Sequence, residues 1–295
     1  MPELNPTHDP AARSWVASAN VAGCDFPIQN LPYAMFAEAG TYVHWRAGVA
    51  IGDQVLDLAA LHGHKLLNGL AAAALETAVV PGSKIFGLNA FMATGPQSWR
   101  ALRHALFALL SDDAPPATQA AVQACLIPRS RAVYRVPSQV ANYTDFYTSI
   151  HHARNVGKVI RPDDPLTPNF QWLPIAYHGR ASSVVISGTA FHRPHGQALP
   201  PGAKAPVYGP CARLDYELEM GFYIGHGNAL GEPVPLAAAE DQVFGMCLLN
   251  DWSARDHQFW EMNPLGPFLG KNFCTSVSPW IVTMEALAPY RVPAV

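Results

Sequence analysis

Proline and glycine interrupt this chain along its whole length, with 27 prolines and 22 glycines among 295 residues. Proline ends helices and cannot donate a hydrogen bond inside a sheet, and glycine favours turns. Because these residues recur throughout, long helices are possible in only a few places. The sequence therefore predicts many turns between short strands, while the content stays below the level typical of disordered chains.

The size and composition of the chain limit its organisation. Single hydrophobic cores stop growing at roughly 250–300 residues, so this length predicts one large domain or two unequal ones. Hydrophobic residues make up 49% of the chain and charged residues only 14%, which indicates that a partner covers part of the surface. A net charge of −3 without a lysine and arginine cluster argues against a nucleic-acid-binding surface.

The cysteines and the apolar segments indicate the compartment. Five scattered cysteines without CxxC spacing predict free thiols in a reducing environment; they are Cys24, Cys125, Cys211, Cys247 and Cys274. The first residues lack the apolar stretch of a signal peptide. The most apolar segment, residues 66–80, is interrupted by Asn68, Gly69 and Glu76, so we do not expect it to span a membrane. We expect a soluble, cytoplasmic protein.

Residues 42–51 and 54–58 alternate with the period of a strand. Gly52 and Asp53 lie between them, and a two-residue turn of this kind is typical of a β-hairpin. The sequence therefore predicts a hairpin early in the N-terminal half.

Two segments of the same half have the pattern of a helix. Residues 97–111 have helical period, and residues 117–126 form an alanine-rich candidate. We expect the first helix to keep Arg100 and Arg103 off its apolar face, which consists of Trp99, Leu102, Leu106 and Leu109.

The basic, proline-bounded stretch 128–137 indicates a domain boundary, so we expect domains at 1–136 and 137–295. In the second domain the sequence predicts short strands separated by turns, at residues 183–187, 217–224 and 243–250. The expected fold class is mainly β, of the α+β type. A domain of about 160 residues built from strands that lack partners would be unusual, so we expect the C-terminal domain to be incomplete.

Two glutamates stand out in the segment 215–220. On a strand, Glu217 and Glu219 point to one face about 7 Å apart, and the apolar run 221–224 that follows them suits a buried sheet. Carboxylates buried in apolar surroundings require protons or a cation. The alternative is a solvent-facing acidic stripe on an edge strand.

Two aspartates extend this acidic set. Asp251 follows the strand-like run 243–250 and precedes a helix start, where it is either a site residue or an N-cap; Asp145 has the same ambiguity. Four oxygen-bearing side chains together would suit a hard cation such as Ca²⁺ or Mg²⁺. Zinc fits less well because no Cys/His set has its spacing.

A histidine and a lysine are further candidates. If residues 145–155 are helical, Asp145 and His152 share a face, and His152 is either a general base or a structural histidine; the structural interpretation is adopted for His178, His192 and His195. Lys271 ends a glycine-rich segment that lacks the spacing and the Ser/Thr of a phosphate loop, so nucleotide binding is rejected. It is either a cation directed into a pocket or a surface lysine.

Several segments together resemble the fumarylacetoacetase family. In the second half the matching segments are residues 142–157, 177–183, 215–220, 249–256 and 264–271. In the first half they are residues 25–33 and 48–58. The resemblance runs in order through nearly the whole chain, and the first-half segments distinguish this family from its wider superfamily.

The resemblance implies a fold and an activity. The fold would be a small SH3-like β-barrel domain followed by a mixed β-roll domain that forms homodimers and is truncated here. The activity would be metal-dependent hydrolysis of a carbon–carbon bond in 4-fumarylacetoacetate, giving fumarate and acetoacetate, the last step of tyrosine and phenylalanine catabolism. Two alternatives stay open: a related oxo-acid decarboxylase or hydratase, and an inactive truncated fragment.

The resemblance also implies residue roles. The calcium ligands would be Asp145, Glu217, Glu219 and Asp251. The residues around a magnesium ion would be Asp251, Lys271 and Thr275. His152 would be the general base. The developing oxyanion would face Arg255, Gln258 and Lys271. Substrate contacts would come from Tyr147, Arg161, Tyr177 and Gln258. Met262 stands where the family usually has a substrate-contacting tyrosine.

Overall fold

A computed structural model describes residues 4–41, 44–79 and 87–293. Within these ranges, no helix combines the length and apolar content needed to cross a bilayer. The five cysteines are free thiols, as predicted.

The described residues of the N-terminal half form five strands and five helices. The strands are β1 Tyr33–Glu38, β2 Arg46–Ile51, β3 Gln54–Asp57, β4 Leu126–Pro128 and β5 Ala132–Arg135. The helices are α1 Leu58–Gly63, α2 Gly69–Val79, α3 Asn89–Met92, α4 Pro96–Leu110 and α5 Pro116–Gln123. Short 3₁₀ turns occur at Pro6–His8, Ala17–Asn20 and Arg129–Arg131.

These five strands form one antiparallel sheet in the order β4-β3-β2-β1-β5. Ile51 pairs with Gln54, so the predicted hairpin turn at Gly52 and Asp53 is confirmed; Gly52 has φ +57°, a conformation that glycine adopts without strain. Residues 42 and 43 of the predicted first strand lie outside the described ranges. The sheet is open among the described pairings, with β4 and β5 at its edges, so the closed barrel stays a prediction.

Helix α4 confirms the predicted apolar face but corrects the position of one arginine. Arg100 is largely exposed, whereas Arg103, expected outside the core, is 1% exposed. Its guanidinium donates to the carbonyl oxygens of Asn30 at 2.8 Å and Gln29 at 2.5 Å. Helical period alone could not show this, because the acceptors belong to a loop about 70 residues earlier in the chain.

Up to residue 293, where the described part of the chain ends, the C-terminal half forms eleven short strands and three helices. The first strands are β6 Tyr143–Phe146, β7 Ala176–Gly179, β8 Val184–Ile186, β9 His195–Ala198, β10 Val207–Pro210 and β11 Leu214–Asp215. The others are β12 Leu218–Ile224, β13 Val243–Asp251, β14 Ser253–Ala254, β15 Thr275–Val277 and β16 Val282–Thr283. The helices are α6 Ile150–Ile160, α7 Arg255–Glu261 and α8 Leu269–Asn272. The 3₁₀ turns are Ala181–Ser183, Leu236–Ala238, Glu240–Gln242 and Ala288–Tyr290.

The main sheet of this half runs β12-β13-β15-β8, with β16 also paired to β13. Its strands β8, β12 and β13 confirm the three predicted strand segments. The apolar side of β12, however, is solvent-facing: Phe222 is 57% and Ile224 58% exposed, which corrects the expectation of a buried apolar run. The side that carries Glu219 is the one turned inward, where Cys247, Leu249 and Val277 form a small apolar cluster with Tyr223 packed against it.

The two halves share one hydrophobic core. Tyr33 of β1 forms a β-bridge with Ile281, and its ring lies 5.3 Å from that of Phe91 and 5.7 Å from that of Phe244. Phe244 belongs to β13, the strand that ends in Asp251. The overall class is a mixed α/β fold in which the N-terminal core supports the strand carrying the site.

Candidate active site

Asp145 and Asp251 come from strands of two different sheets and lie in one region of the structure. Asp145 pairs with Tyr177 across β6 and β7, so it lies on a strand. Helix α6 begins only at Ile150, capped by the Ser149 side chain, which corrects the idea of a continuous helix over 145–155. Asp251 is the last residue of β13 and pairs with Thr275 of β15.

Three carboxylates converge at this place. One oxygen atom each from Asp145, Glu219 and Asp251 lies within 4.8 Å of the other two. Asp251 is 1% exposed, and the other two are partly buried, so the solvent-facing acidic stripe is ruled out. The N-cap interpretation of Asp251 fails as well, because α7 begins at Arg255, after Ala254.

The electrostatics of this group favour a bound cation. Burial, together with the negative charges of Asp145 and Asp251, raises the pKa of Glu219 to about 8. Burial also raises the pKa of Asp251 to about 6, although Lys271 acts in the opposite direction. Carboxyl groups held in a partly desolvated cluster gain most from a divalent cation, and their oxygens suit a hard ion. The residues present therefore fit such an ion.

Glu217 lies beside the three carboxylates and is turned towards two cations. Its Oε1 atom is 2.8 Å from Nη1 of Arg255, and its Oε2 atom accepts a hydrogen bond from Nζ of Lys271. Burial acts to raise the pKa of Glu217, but the neighbouring charges and hydrogen bonds of Lys271 and Arg255 lower it overall. Glu217 therefore stays ionised and links the carboxylates to the basic side of the site.

Lys271 is a buried residue, with 5% exposure, which rules out a surface lysine. Its Nζ atom lies 2.7 Å from Oδ2 of Asp251 in addition to its contact with Glu217. Burial of an ammonium is favourable only beside compensating charges, and here two carboxylates provide them. The glycine-rich segment thus directs a cation into the site.

Arg255 and Gln258 continue this basic side along α7. Nη1 of Arg255 donates to Oε1 of Gln258 at 3.0 Å, and its Nε atom donates to Oδ2 of Asp215 at 2.9 Å. Lys271, Glu217, Arg255 and Gln258 therefore form a continuous chain of hydrogen bonds. Such a chain holds several donors in fixed positions beside the carboxylates.

Tyr177 and Thr275 contact the buried end of the carboxylate group. The hydroxyl of Tyr177 donates to Oδ2 of Asp251 at 3.3 Å, and burial, with the charges of Asp251 and Asp145, raises its pKa. Tyr177 therefore stays protonated and can donate. Thr275, 1% exposed, is the register partner of Asp251.

His152, Tyr147 and Arg161 form a separate group on and next to α6. The rings of Tyr147 and His152 meet edge to face with 5.4 Å between centroids. Burial raises the pKa of Tyr147, opposed by the charge of Arg161. His152 is exposed, and within the described residues the polar contacts of this group do not reach the carboxylates. Met262 lies at the C-terminal end of α7.

The sequence predictions missed Tyr143. Its hydroxyl oxygen is buried and has no hydrogen-bond partner among the described residues, and burial, with the charges of Asp251 and Asp145, raises its pKa. Tyr143 is two residues before Asp145 on β6, so period two places both on one face of the strand. The two-residue spacing between Tyr143 and Asp145 is the sequence feature from which Tyr143 could have been predicted as a site residue.

Comparisons with known proteins agree over both halves of the chain. Residues 29–137 match the family model described as Fumarylacetoacetase N-terminal, and residues 141–293 match the model described as Fumarylacetoacetate (FAA) hydrolase C-terminal. The chain is 47% identical over 276 residues to fumarylacetoacetase of Bos taurus, covering 91% of this chain and 63% of that protein. It is 48% identical over 272 residues to that of Homo sapiens, with coverage of 91% and 63%.

The fumarylacetoacetase of Oryza sativa subsp. japonica is 46% identical over 287 residues, covering 96% of this chain and 65% of that protein. The chain therefore spans a little less than two thirds of the length of these curated relatives. The two family models and the identity over nearly all of its residues lead to one assignment: the chain belongs to the fumarylacetoacetase family.

Proposed function

We propose that the protein containing this chain is a fumarylacetoacetase, an enzyme that hydrolyses a carbon–carbon bond of 4-fumarylacetoacetate. The observation that carries the proposal is the buried contact of Lys271 with Asp251 at the edge of a three-carboxylate group. This contact supports a hard-cation site beside a set of hydrogen-bond donors, which is the combination that cleavage of a β-diketone requires. Family membership names the substrate.

Asp145, Glu219 and Asp251 would hold the divalent ion, Ca²⁺ or Mg²⁺, with Glu217 as a further ligand. Thr275 and Lys271 lie next to Asp251 and belong to the same environment. When bound, the ion supplies Lewis-acid stabilisation to the diketone oxygens. The chain contributes a site in which the ligands are already close together.

His152 would act as the general base on water. It removes a proton as the water oxygen bonds to the substrate carbonyl carbon, and an oxyanion develops there. The carbon–carbon bond then breaks, its electron pair leaves with the acetoacetate fragment, and a proton completes that product. In the described residues His152 is not in contact with the carboxylates, so the role requires substrate and water between the two groups.

Lys271, Arg255 and Gln258 would stabilise the oxyanion. Their hydrogen-bonded chain fixes the donors before the charge develops, and one such donor typically contributes about 3 kcal/mol. Arg161 and Tyr147 would bind a substrate carboxylate, for which the guanidinium is suited. Tyr177 would contact the substrate near Asp251. Met262 cannot donate a hydrogen bond, so the interaction made by a tyrosine there would be absent.

The wider organisation follows the family. We propose an SH3-like domain over 1–136 and a β-roll catalytic domain over 137–295, in a cytoplasmic homodimer. The 3₁₀ turn that joins the edge strands β4 and β5 supports a barrel-like arrangement of the first sheet. The exposed apolar side of β12 and β13 supports a partner surface; it consists of Leu218, Met220, Phe222, Ile224 and Leu248.

The test is direct assay of diketone cleavage by the purified protein. We expect loss of the substrate, production of fumarate and acetoacetate, and loss of activity with a chelator that Ca²⁺ or Mg²⁺ restores. Asp251→Asn should abolish turnover, whereas the exposed Asp113→Asn should not. Decarboxylation of an oxo acid by a protein that leaves 4-fumarylacetoacetate intact would show the related lyase instead.

A further inference from the structure

Helix α8 is too short to hold its own position. It has four residues, Leu269–Asn272, and an isolated helix of that length is unstable in water because nucleation is costly. Nevertheless it carries Lys271, whose ammonium lies between two carboxylates in the buried site. Other parts of the chain must therefore fix this turn.

Glu261 is one of the residues that fix α8 in position. It is the last residue of α7, and its Oε1 atom accepts hydrogen bonds from the backbone N–H groups of Phe268 at 2.9 Å and Gly270 at 2.5 Å. N–H groups at the start of a helix have no partner within the helix, and a carboxylate is the stronger kind of acceptor for them. Within the described part of the chain, these two N–H groups are the polar contacts of the Glu261 side chain.

Two neutral contacts complete the support. Oγ of Ser183 donates to the carbonyl oxygen of Asn272 at 2.7 Å, so the other end of α8 is held as well. Gly270 packs directly on α7, since a Cβ atom there would lie 2.8 Å from the backbone nitrogen of Gln258. Glu261 is the one acidic residue among these three supports, and it bonds to residues on both sides of Leu269.

We infer that Glu261 is a positioning residue, which sets where the Lys271 ammonium stands between Glu217 and Asp251. The inference rests on the proposed role of Lys271 in the reaction. Lys271 follows Gly270 directly, so a shift of the Gly270 backbone moves the lysine with it. A misplacement of about 1 Å at a catalytic group costs roughly 100-fold in rate. Among the residues that the structure describes, the proposed substrate-binding group near α6 has no hydrogen bond to Glu261.

The experiment compares Glu261→Ala and Glu261→Gln in the full-length protein. Glutamine keeps an oxygen that can accept both N–H groups, so we expect kcat within about threefold of the parent; alanine removes the acceptor, and we expect kcat to fall by roughly 10- to 100-fold with KM changed less than about threefold. Glu76→Ala, at an exposed glutamate on α2, is the matched control and should leave kcat and KM unchanged.

A second readout does not depend on activity. Reductive methylation followed by peptide mass spectrometry measures how accessible Lys271 is, and we expect protection in the parent and in Glu261→Gln, with severalfold faster methylation in Glu261→Ala. An alanine variant with unchanged kcat and a protected Lys271 would overturn the inference. If the alanine variant does not fold, Glu261→Asp, which withdraws the carboxylate by one methylene, must reproduce both effects, and a fully active Glu261→Asp overturns it.

The two readouts separate this inference from the proposed function. If the parent protein does not cleave the diketone but methylation of Lys271 follows the predicted order, positioning by Glu261 stands and the assigned reaction fails. If the parent cleaves the substrate and Lys271 is equally protected in every variant, the reaction stands and the positioning role fails.

Discussion

Nζ of Lys271 lies 2.7 Å from Oδ2 of Asp251, and the two residues are 5% and 1% exposed. The same ammonium is bonded to Glu217. A lysine in this position offsets part of the negative charge of the site while keeping an N–H group available to a ligand.

Removing the Lys271 charge should affect activity strongly. In Lys271→Met the carboxylates of Glu217 and Asp251 lose their shared cation, and one donor to the developing oxyanion disappears. We expect kcat to fall by at least roughly 100-fold, together with a lower melting temperature because breaking a buried ion pair leaves charge uncompensated. Steady-state kinetics and thermal unfolding measure the two effects. The exposed Lys204→Met should change neither, and wild-type kcat in Lys271→Met would contradict the proposed role.

The affinity for a divalent ion should rise with pH. The pKa values of Asp251 and Glu219 are raised to about 6 and about 8, so protons compete with the metal below these values. We expect Mg²⁺ affinity to increase by up to roughly tenfold per pH unit between pH 6 and 8, to increase more steeply below pH 6 where both groups are protonated, and to level off above pH 8. Isothermal titration calorimetry across this range tests the expectation. Affinity independent of pH between 5 and 8 would contradict it.

The variant Glu219→Gln distinguishes the contributions of Glu219 and Asp251 to the pH dependence of Mg²⁺ affinity. Glu219→Gln removes the group with the higher pKa, so the remaining dependence should follow Asp251 and end near pH 6 to 7. Persistence of the full rise up to pH 8 in Glu219→Gln would show that another group titrates there.

Gly179 should be required by the strand pair that carries Asp145. It pairs with Tyr143, and a Cβ atom at this position would lie 2.1 Å from the Tyr143 ring. We expect Gly179→Ala to weaken Mg²⁺ binding by roughly 10-fold or more through displacement of neighbouring groups and to destabilise the fold by about 1–3 kcal/mol. Gly209→Ala, on β10 with open space around the added methyl group, should leave binding unchanged. Equal Mg²⁺ affinity in both variants would refute the steric argument.

Arg103 should contribute to stability without a role in the reaction. Replacing it by methionine leaves the carbonyl oxygens of Gln29 and Asn30 without their donor in a buried place. We expect a loss of about 3 kcal/mol in the free energy of unfolding, measured by urea denaturation. Arg100→Met, at an exposed position on the same helix, should cost less than about 1 kcal/mol. A similar loss in both variants would argue against the buried contacts.

Local patterns predicted several elements of the fold, including the strands that carry the site. The hairpin at Gly52 and Asp53, the helix over Trp99 and Leu106, and the strands around Glu219 and Asp251 all follow from spacing that depends on neighbours within a few residues. Such a repeat predicts its element correctly because it depends only on which residues share one face of a single helix or strand. The signature segments predicted the family, since they match its residue types in the same order along the chain.

Spacing could not decide which face of β12 turns inward or what each charged side chain contacts. Arg103 was expected outside the core and is buried, since its carbonyl acceptors come from a distant loop. Asp145 was considered on a helix and lies on a strand. The partner of each depends on elements far away in sequence.

The amino-acid sequence by itself determined the family, the short strands and the acidic residues available for a metal ion. Only the tertiary structure decided that Asp145, Glu219 and Asp251 meet within 4.8 Å, while Glu217 turns to Lys271 and Arg255. The physical reason is that burial and charge compensation are properties of a place in the fold. They are set by strands and helices that pairing and packing bring together, and no local pattern contains that information.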